Sequence, residues 1–361
     1  MAYLLNEANH IVVEVGSYQT KAIRNTVDPN QLPSVIIPTR AGILKGNSEK
    51  EAQGQAGSPS SDQNGSSVTP EKNGDEKKDE DSLKEKENGQ SAPKKTNYVF
   101  GEALENVDPS QLSKTFNLLE DNRVTDWEAF SAFCKYILVK GLGVNIPHNQ
   151  CAIVFSIPVG WSKGDMEALT QILFENINTP ALMIVEQPLL ALYGDGDTTG
   201  LVIDFGHTKT TVVPVIDSII IEHAIRTIDV GGRDVTNYLA GLLKEDERIM
   251  SAADGKLDDG FVQALKESGL IEFKTATPLP QDNAQNTDDV EFEYSGIKYP
   301  LGDWRYQAAK ILVDSTMIPG KETNDRLVDA IKQSILLCDH TKRVSLWEGI
   351  HLVGGSSQFK G

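Results

Sequence analysis

The chain has 361 residues, which is room for two domains with a sizeable core, and its net charge is −18 from 34 Lys and Arg against 52 Asp and Glu. This acidity argues against a protein that holds nucleic acid on its own surface, so any contact with DNA would run through a partner. The start of the chain lacks a basic segment followed by a long apolar run, and no later stretch approaches a membrane span. We therefore expect a cytosolic or nuclear protein.

Three cysteines, Cys134, Cys151 and Cys338, lie singly in apolar contexts without metal-ligand spacing. This pattern predicts buried free thiols in a reducing compartment.

Two distant stretches, residues 11–24 and 201–214, follow one template, and each predicts a β-hairpin with a tight turn at a glycine. They share an acid, a glycine and a threonine in register: Glu14 with Asp204, Gly16 with Gly206, and Thr20 with Thr210. Glycine lets the backbone approach a phosphate, turn N–H groups can form an anion-binding nest, and an acid just before the glycine suits Mg²⁺ held through water. A single hairpin of this kind is more often structural, but the duplication indicates two similar lobes that grip one phosphate chain.

Residues 46–96 are nearly all Gly, Ser, Asn, Gln, Pro, Glu, Asp and Lys, too polar to offset the entropy of ordering them. This predicts a disordered insertion inside the first lobe. Lys77-Lys78 and Lys94-Lys95 are open to interpretation as a nuclear-localisation or binding patch, but interspersed acids favour a solvated loop.

Beyond the insertion the pattern is α/β. Residues 127–138 have helical spacing, 151–156 predict a buried strand, and Ser162 with Asp165 predicts a capping box before the next helix. Residues 181–185 predict a further strand, followed by a helix with Pro188 in its first turn.

Gln187 lies where this strand ends and the helix begins. Ligand crevices of open α/β sheets lie outside the carboxyl ends of the strands, so Gln187 is a candidate to reach a bound nucleotide; the alternative is a polar residue that only starts the helix.

In the second lobe, residues 218–228 predict a strand that ends at Gly231-Gly232-Arg233-Asp234, before a helix over 235–243. Glycines before a helix fit contact with phosphate or ribose, or only a tight turn. Residues 350–357 predict a short strand running into Gly354-Gly355, which after two phosphate hairpins is a candidate adenosine contact.

The order of these motifs resembles the actin superfamily, and within it actin and the actin-related proteins. Its most specific part is 169–183, Leu-Thr-Gln-Ile-Leu-Phe-Glu-Asn-Ile-Asn-Thr-Pro-Ala-Leu-Met, followed by 229–239, Asp-Val-Gly-Gly-Arg-Asp-Val-Thr-Asn-Tyr-Leu. The resemblance covers almost everything outside the insertion. It implies a two-lobed α/β fold with a nucleotide cleft between the lobes, each lobe a mixed sheet with flanking helices. The first lobe would comprise 1–45 and 97–194, and the second 195–361.

The resemblance also implies site residues for ATP or ADP with Mg²⁺. Phosphate contacts would come from Gly16, Ser17, Lys21, Gly206 and Thr208. Contacts to ribose and adenosine would come from Gly232, Arg233, Lys266, Glu267, Gly354, Gly355 and Phe359. Glu14 and Asp204 would lie near the metal, and Gln187 falls on the glutamine that positions the attacking water.

Several positions depart from the family pattern. Tyr18 replaces a second glycine of the first hairpin, and its bulk would crowd the phosphates. In the second hairpin, His207 replaces an aspartate, Thr208 a glycine, and Thr211 the histidine that helps to orient water. A positioned proton-transfer group is worth roughly 10²–10⁴-fold in rate, so these changes predict slow hydrolysis at best.

The insertion falls at the loop that conventional actin docks into its filament neighbour, so we expect no self-polymerisation. An actin fold with an altered hydrolysis site and a blocked filament contact is most similar to the fungal nuclear actin-related proteins of SWI/SNF and RSC chromatin remodellers. That resemblance implies a second actin-related protein and a helical segment of a Snf2-type motor subunit as partners, with nucleosome contact only indirect. It also implies a nuclear location and a role in transcription regulation.

Two other hypotheses remain open at this point: an ATP-hydrolysing cytoskeletal actin relative, and a sugar kinase of the same superfamily. The resemblance further implies helices beyond Gly361 that would complete the first lobe.

Overall fold

The computed structural model describes residues 9–24, 31–45, 96–273, 290–318 and 326–360. Two compact units emerge, one formed within Met1–Ala41 and Phe116–Gly361 and the other within Gly42–Thr115. The predicted disordered insertion, apart from Thr96, lies outside the described residues, as do both lysine pairs.

The strands and helices up to the middle of the chain are β1 His10–Val15, β2 Gln19–Arg24, β3 Val35–Pro38, β4 Arg40–Leu44, β5 Tyr98–Val99, α1 Gly101–Glu105, β6 Leu112–Asn117, β7 Leu119–Glu120, β8 Arg123–Val124, α2 Trp127–Lys135, β9 Ala152–Ile157, α3 Lys163–Gln171, β10 Leu182–Glu186 and α4 Gln187–Asp195. Those that follow are β11 Gly200–Phe205, β12 Thr210–Ile216, β13 Ile219–Ile220, β14 Arg226–Ile228, α5 Gly232–Glu245, α6 Glu247–Ala252, α7 Asp259–Glu267, β15 Glu291–Tyr294, β16 Ile297–Pro300, α8 Leu327–Leu337, α9 Arg343–Glu348 and β17 Ile350–Val353.

Two mixed sheets organise the larger unit. The first has the strand order β10-β9-β1-β2-β3, and the second has the order β13-β12-β11-β17 with β14 also paired to β12. In each sheet the first strand of the hairpin pairs in parallel with a later strand, β1 with β9 and β11 with β17. The mixed sheets and flanking helices confirm the predicted α/β class.

The smaller unit contains α1 and a sheet of order β5-β4-β6. Gly42 allows its close packing, because an added Cβ would lie 2.4 Å from Leu104 Cδ1 and 3.0 Å from Val99 Cγ2.

Helix starts follow the local signals in the sequence. Ser162 caps α3 with the predicted capping box: the Asp165 N–H donates to Ser162 Oγ at 3.2 Å, and Asp165 Oδ2 accepts from the Ser162 N–H at 2.9 Å. Pro188 lies in the first turn of α4, and that helix ends at Gly196 with a φ of 82°. The helix predicted over 127–138 begins at Trp127 and continues past Lys135 as a π-helical turn to Gly141.

The single strand predicted over 218–228 is wrong. The segment forms β13, a 3₁₀ turn at Glu222–Ala224, and β14. The break lies opposite Pro214 in β12, which accepts the Ile221 N–H at 3.0 Å but has no N–H to donate in return. The ladder therefore stops at Pro214 and resumes where Val212 pairs with Arg226.

All three cysteines are buried and free, as predicted. No helix in the described part of the chain is both long and apolar enough to cross a membrane.

Candidate functional site

The two predicted hairpins form in the same register. In the first, Val15 pairs with Thr20 and Glu14 with Lys21. In the second, the equivalent pairs are Phe205 with Thr210, and Asp204 with Thr211. The repeat in the sequence is therefore a repeat in the structure.

Steric contact within each hairpin explains why the repeat has glycine at Gly16 and Gly206. A Cβ on Gly16 would lie 2.9 Å from Gln19 O, and a Cβ on Gly206 would lie 2.9 Å from Lys209 O. The Gly16 N–H already donates to Gln19 O at 3.1 Å. Turn geometry is thus sufficient to require glycine at both positions, whatever ligand lies beside them.

The two threonines of the repeat bond each hairpin to a neighbouring segment through buried hydroxyl groups. Thr20 Oγ1 lies 2.8 Å from Thr39 Oγ1, and the Thr210 hydroxyl donates to Val230 O at 2.8 Å; all these side-chain contacts are buried. A buried hydroxyl needs such a partner to offset its lost hydration.

The start of α5 holds the second hairpin. The Gly232 N–H donates to Gly206 O at 2.9 Å, and the Arg233 N–H donates to His207 O at 2.8 Å. Gly231 permits this approach, because a Cβ there would lie 2.6 Å from His207 O. The sequence left open whether these glycines contact phosphate or ribose or only form a tight turn, and the structure shows a tight turn. The N–H groups of Gly232 and Arg233 are bonded to protein.

A cleft of about 420 Å³ lies between the two hairpins. Of the predicted site residues it is lined by Glu14, Gly16, Ser17, Lys21, Gln187, Asp204, Gly206, Thr208, Gly232, Lys266, Glu267, Gly354, Gly355 and Phe359. Arg233 does not line it. Motif reasoning missed further lining residues, among them Asn122, Pro158, Gln263, Gly269 and Gln358, which lie in turns and on helix faces without a motif. It also did not name Ser356, although this residue lies within the 350–357 motif.

Two carboxylates and one ammonium group define one end of the cleft. Lys21 Nζ lies 3.8 Å from Glu14 Oε2, and both side chains are about half exposed. Burial, and after it the Glu14 carboxylate, raises the pKa of Asp204 to about 6, while Lys21 opposes the rise. Two acids fit a hydrated Mg²⁺ in their donor chemistry, but the described residues include no group of three or more His, Cys, Asp or Glu placed to hold a metal ion.

Aromatic rings join the two hairpin tips. The rings of Tyr18 and His207 stack with their centroids 4.5 Å apart and their planes 24° from parallel. Burial, then the charges of Lys266 and Arg233, lowers the pKa of His207 to about 4, so the imidazole is neutral at physiological pH. Both residues line the cleft.

An ion pair reaches the second hairpin from the turn between β7 and β8. Lys209 Nζ lies 3.6 Å from Asp121 Oδ1; the lysine side chain is mostly buried, whereas that of the aspartate is 89% exposed. The Trp161 indole N–H donates to Asn122 O at 2.7 Å and fixes this turn.

Gln187 reaches the cleft from the junction of β10 and α4, as its position in the sequence predicts. Its Nε2 donates to Val15 O at 3.1 Å, which orients the side chain at the end of β1. Whether it positions a water molecule stays a prediction.

The other end of the cleft lies beside α7 and the turn after β17. Lys266 Nζ donates to Thr236 Oγ1 at 2.9 Å and to Gly232 O at 3.3 Å, and burial lowers the pKa of its ammonium group. Gly354 has a φ of 91°, and a Cβ there would lie 2.5 Å from both Asp204 Oδ1 and Phe205 O. The turn therefore packs too closely on β11 for any side chain at Gly354, whereas a Cβ on Gly355 would meet no atom within 4 Å, so the backbone there borders open space in the cleft.

Two mixed sheets, with a repeated hairpin beside a shared cleft, define a two-lobed α/β fold of the actin type. The sequence model of the Actin family matches residues 5–361. An "Actin-like protein" of Neurospora crassa is 32% identical over 254 residues, which is 67% of this chain and 63% of the Neurospora protein. The matched stretch thus covers less than two thirds of that relative's length. The chain belongs to the actin family.

Members of the actin family typically bind ATP with a divalent metal ion. The open backbone at Gly355 and the polar side chains of α7 fit the nucleoside part of such a ligand. The other end does not fit a triphosphate, because the stacked rings of Tyr18 and His207 lie between the two glycine turns.

Proposed function

We propose that this chain is a non-polymerising scaffold subunit of a nuclear chromatin-remodelling complex of the SWI/SNF or RSC type. It binds a helical segment of the motor subunit beside a second actin-related protein, and so contributes to transcription regulation. A helix bound in an apolar groove is a recognition mode with well-understood physics.

The observation that carries this proposal is the stack of Tyr18 on His207 between the hairpin tips. In addition, Thr211 stands opposite Asp204 where a water-orienting histidine would be expected. Both features support a role that does not depend on ATP turnover, and a scaffold is such a role.

The test is a tagged purification of the full chain from the nuclei of its native organism, with subunit stoichiometry measured by mass spectrometry. We expect a remodeller motor subunit and a second actin-related protein in near-equal amounts. Recovery of actin regulators or filaments without a remodeller motor subunit would overturn the proposal.

A second candidate function is that of an ATP-hydrolysing cytoskeletal actin relative. The observation that favours it is Gln187, which lies in the cleft and is oriented by Val15 O, near the carboxylates Glu14 and Asp204. Actin-like hydrolysis rates together with sedimentable filaments of purified protein would establish this function and exclude the scaffold. A rate near the buffer background would exclude the cytoskeletal function.

A further inference from the structure

Tyr18 and His207 close the space between the two glycine turns. Each residue follows its turn glycine, Tyr18 two residues after Gly16 and His207 directly after Gly206. With centroids 4.5 Å apart, the two rings are in van der Waals contact and leave no room for a phosphate group between them. A phosphate chain could enter this space only by separating the rings.

Two cationic side chains and the first amides of α5, which could bind phosphate at this end, are engaged with protein. Lys21 is paired with Glu14 at 3.8 Å, and Lys209 with Asp121 at 3.6 Å. The N–H groups of Gly232 and Arg233 donate to the carbonyls of the second hairpin. A polyphosphate would therefore have to break these bonds, and it would approach the Glu14 and Asp204 carboxylates as well.

The end of the cleft beside α7 offers a different chemistry. Gln263, Lys266 and Glu267 of α7 line it with amide, ammonium and carboxylate groups. These groups are already ordered by protein contacts, since Gln263 Nε2 donates to Glu267 Oε1 and Lys266 Nζ donates to Thr236 Oγ1 at 2.9 Å. Ser356 and Phe359 also line this end and contribute a hydroxyl and an aromatic ring. Hydrogen-bonding groups beside an aromatic face suit a planar base with an attached sugar.

We propose that the cleft binds a nucleoside or a nucleoside monophosphate and that the Tyr18–His207 stack excludes a nucleoside triphosphate. The ligand's base and sugar lie beside α7 and the Gly354 turn, and the ligand ends before the stacked rings. This ligand class does not depend on whether the chain is a remodeller subunit.

The experiment is isothermal titration calorimetry of the full chain with adenosine, AMP and ATP, the last with Mg²⁺. For the unmodified protein we expect adenosine or AMP to bind at least tenfold more tightly than Mg-ATP. In Tyr18→Gly, which opens the space, Mg-ATP affinity should rise at least tenfold, while the affinity for adenosine stays within about threefold.

Tyr18→Phe is the matched control, because it keeps the stacked ring and removes only the hydroxyl. It should discriminate against Mg-ATP as the unmodified protein does. Should Tyr18→Gly lose its native circular dichroism, His207→Ala removes the facing ring and is judged by the same criteria.

Three results would each overturn the proposal. One is Mg-ATP binding to the unmodified protein as tightly as AMP. Another is the lack of measurable binding of either adenosine or AMP. The third is Mg-ATP affinity that is unchanged when either ring of the stack is removed.

Discussion

Glu14 and Asp204 occupy the same position in two hairpins that are far apart in sequence, each one residue before the end of its strand. Their surroundings differ, since Glu14 lies opposite Lys21 and Asp204 opposite Thr211. Asp204 is also the more buried of the two, and its pKa is raised to about 6. One template has thus produced a half-exposed, ion-paired acid and a partly buried acid that retains its proton more strongly.

The first prediction concerns the pH dependence of stability through Asp204. Between its ordinary pKa of 3.8 and the folded value of about 6, the folded state binds a proton that the unfolded state has released. The free energy of unfolding therefore falls as pH rises through this window, by up to about 3 kcal/mol. Asp204→Asn should remove that fall and be more stable than the unmodified protein at pH 7 but not at pH 4. Thermal unfolding between pH 4 and pH 7 measures this difference in stability, with the exposed Glu348→Gln variant as the control. If Asp204→Asn stabilised the protein equally at both pH values, the raised pKa of Asp204 would be contradicted.

The second prediction is that His207 changes the free energy of unfolding with pH in the opposite direction to Asp204. Its pKa is lowered from 6.5 to about 4, so between these values the unfolded state binds a proton that the folded state does not. This contribution makes the free energy of unfolding rise with pH, by about 1–2 kcal/mol once solvent screening of the partly exposed ring is allowed for. His207→Gln should remove the rise, so that the fall due to Asp204 becomes steeper than in the unmodified protein. An unchanged slope between pH 4 and 6.5 would show that the imidazole does not titrate as described.

The third prediction uses the buried hydroxyl pair under the first hairpin. Thr20→Val or Thr39→Val alone leaves one buried hydroxyl without its partner and should cost about 1–3 kcal/mol. The double variant replaces both hydroxyls with methyl groups of similar shape and should be closer to the unmodified protein than the sum of the single effects. Urea unfolding of all four proteins measures the coupling. Additive losses would mean that the two hydroxyls do not bond to each other.

The fourth prediction compares alanine substitutions of two glycines in different surroundings, Gly231 directly before α5 and Gly241 within it. Gly231→Ala would push a Cβ against the backbone carbonyls of the second hairpin, the nearer being His207 O at 2.6 Å, so it should destabilise the protein by about 1–3 kcal/mol. Gly241→Ala meets no atom within 4 Å and should stabilise the helix by about 0.5–1 kcal/mol. Chemical denaturation separates them. Similar effects at both sites would contradict the close contact between α5 and the hairpin.

The local features of the fold were predictable from sequence because their causes are local. The hairpin register follows from alternating apolar residues around a glycine, and the α3 cap follows from Ser162 and Asp165. The segment 218–228 shows where this reasoning fails. Its residues favour a strand, but the neighbouring strand presents Pro214, and strand pairing depends on both partners.

Most residues that line the candidate site were predictable from the sequence, but the ring stack between its two hairpins was not. Apart from Arg233, the motif residues named as candidates do line one cleft. The sequence indicated that Tyr18 would crowd a phosphate, since glycine is expected there. The stack of Tyr18 on His207 depends on how two hairpins that are nearly two hundred residues apart are placed, and no local pattern encodes that distance.

The bonds from α5 to the second hairpin also have a consequence for hydrogen exchange. First-turn amides of a helix have no partner within the helix and usually exchange quickly with solvent. The Gly232 and Arg233 amides are instead bonded to the carbonyls of Gly206 and His207. The N-terminal end of α5 should thus exchange as slowly as a helix interior, and loss of that protection would report the moment at which the hairpin separates from the helix.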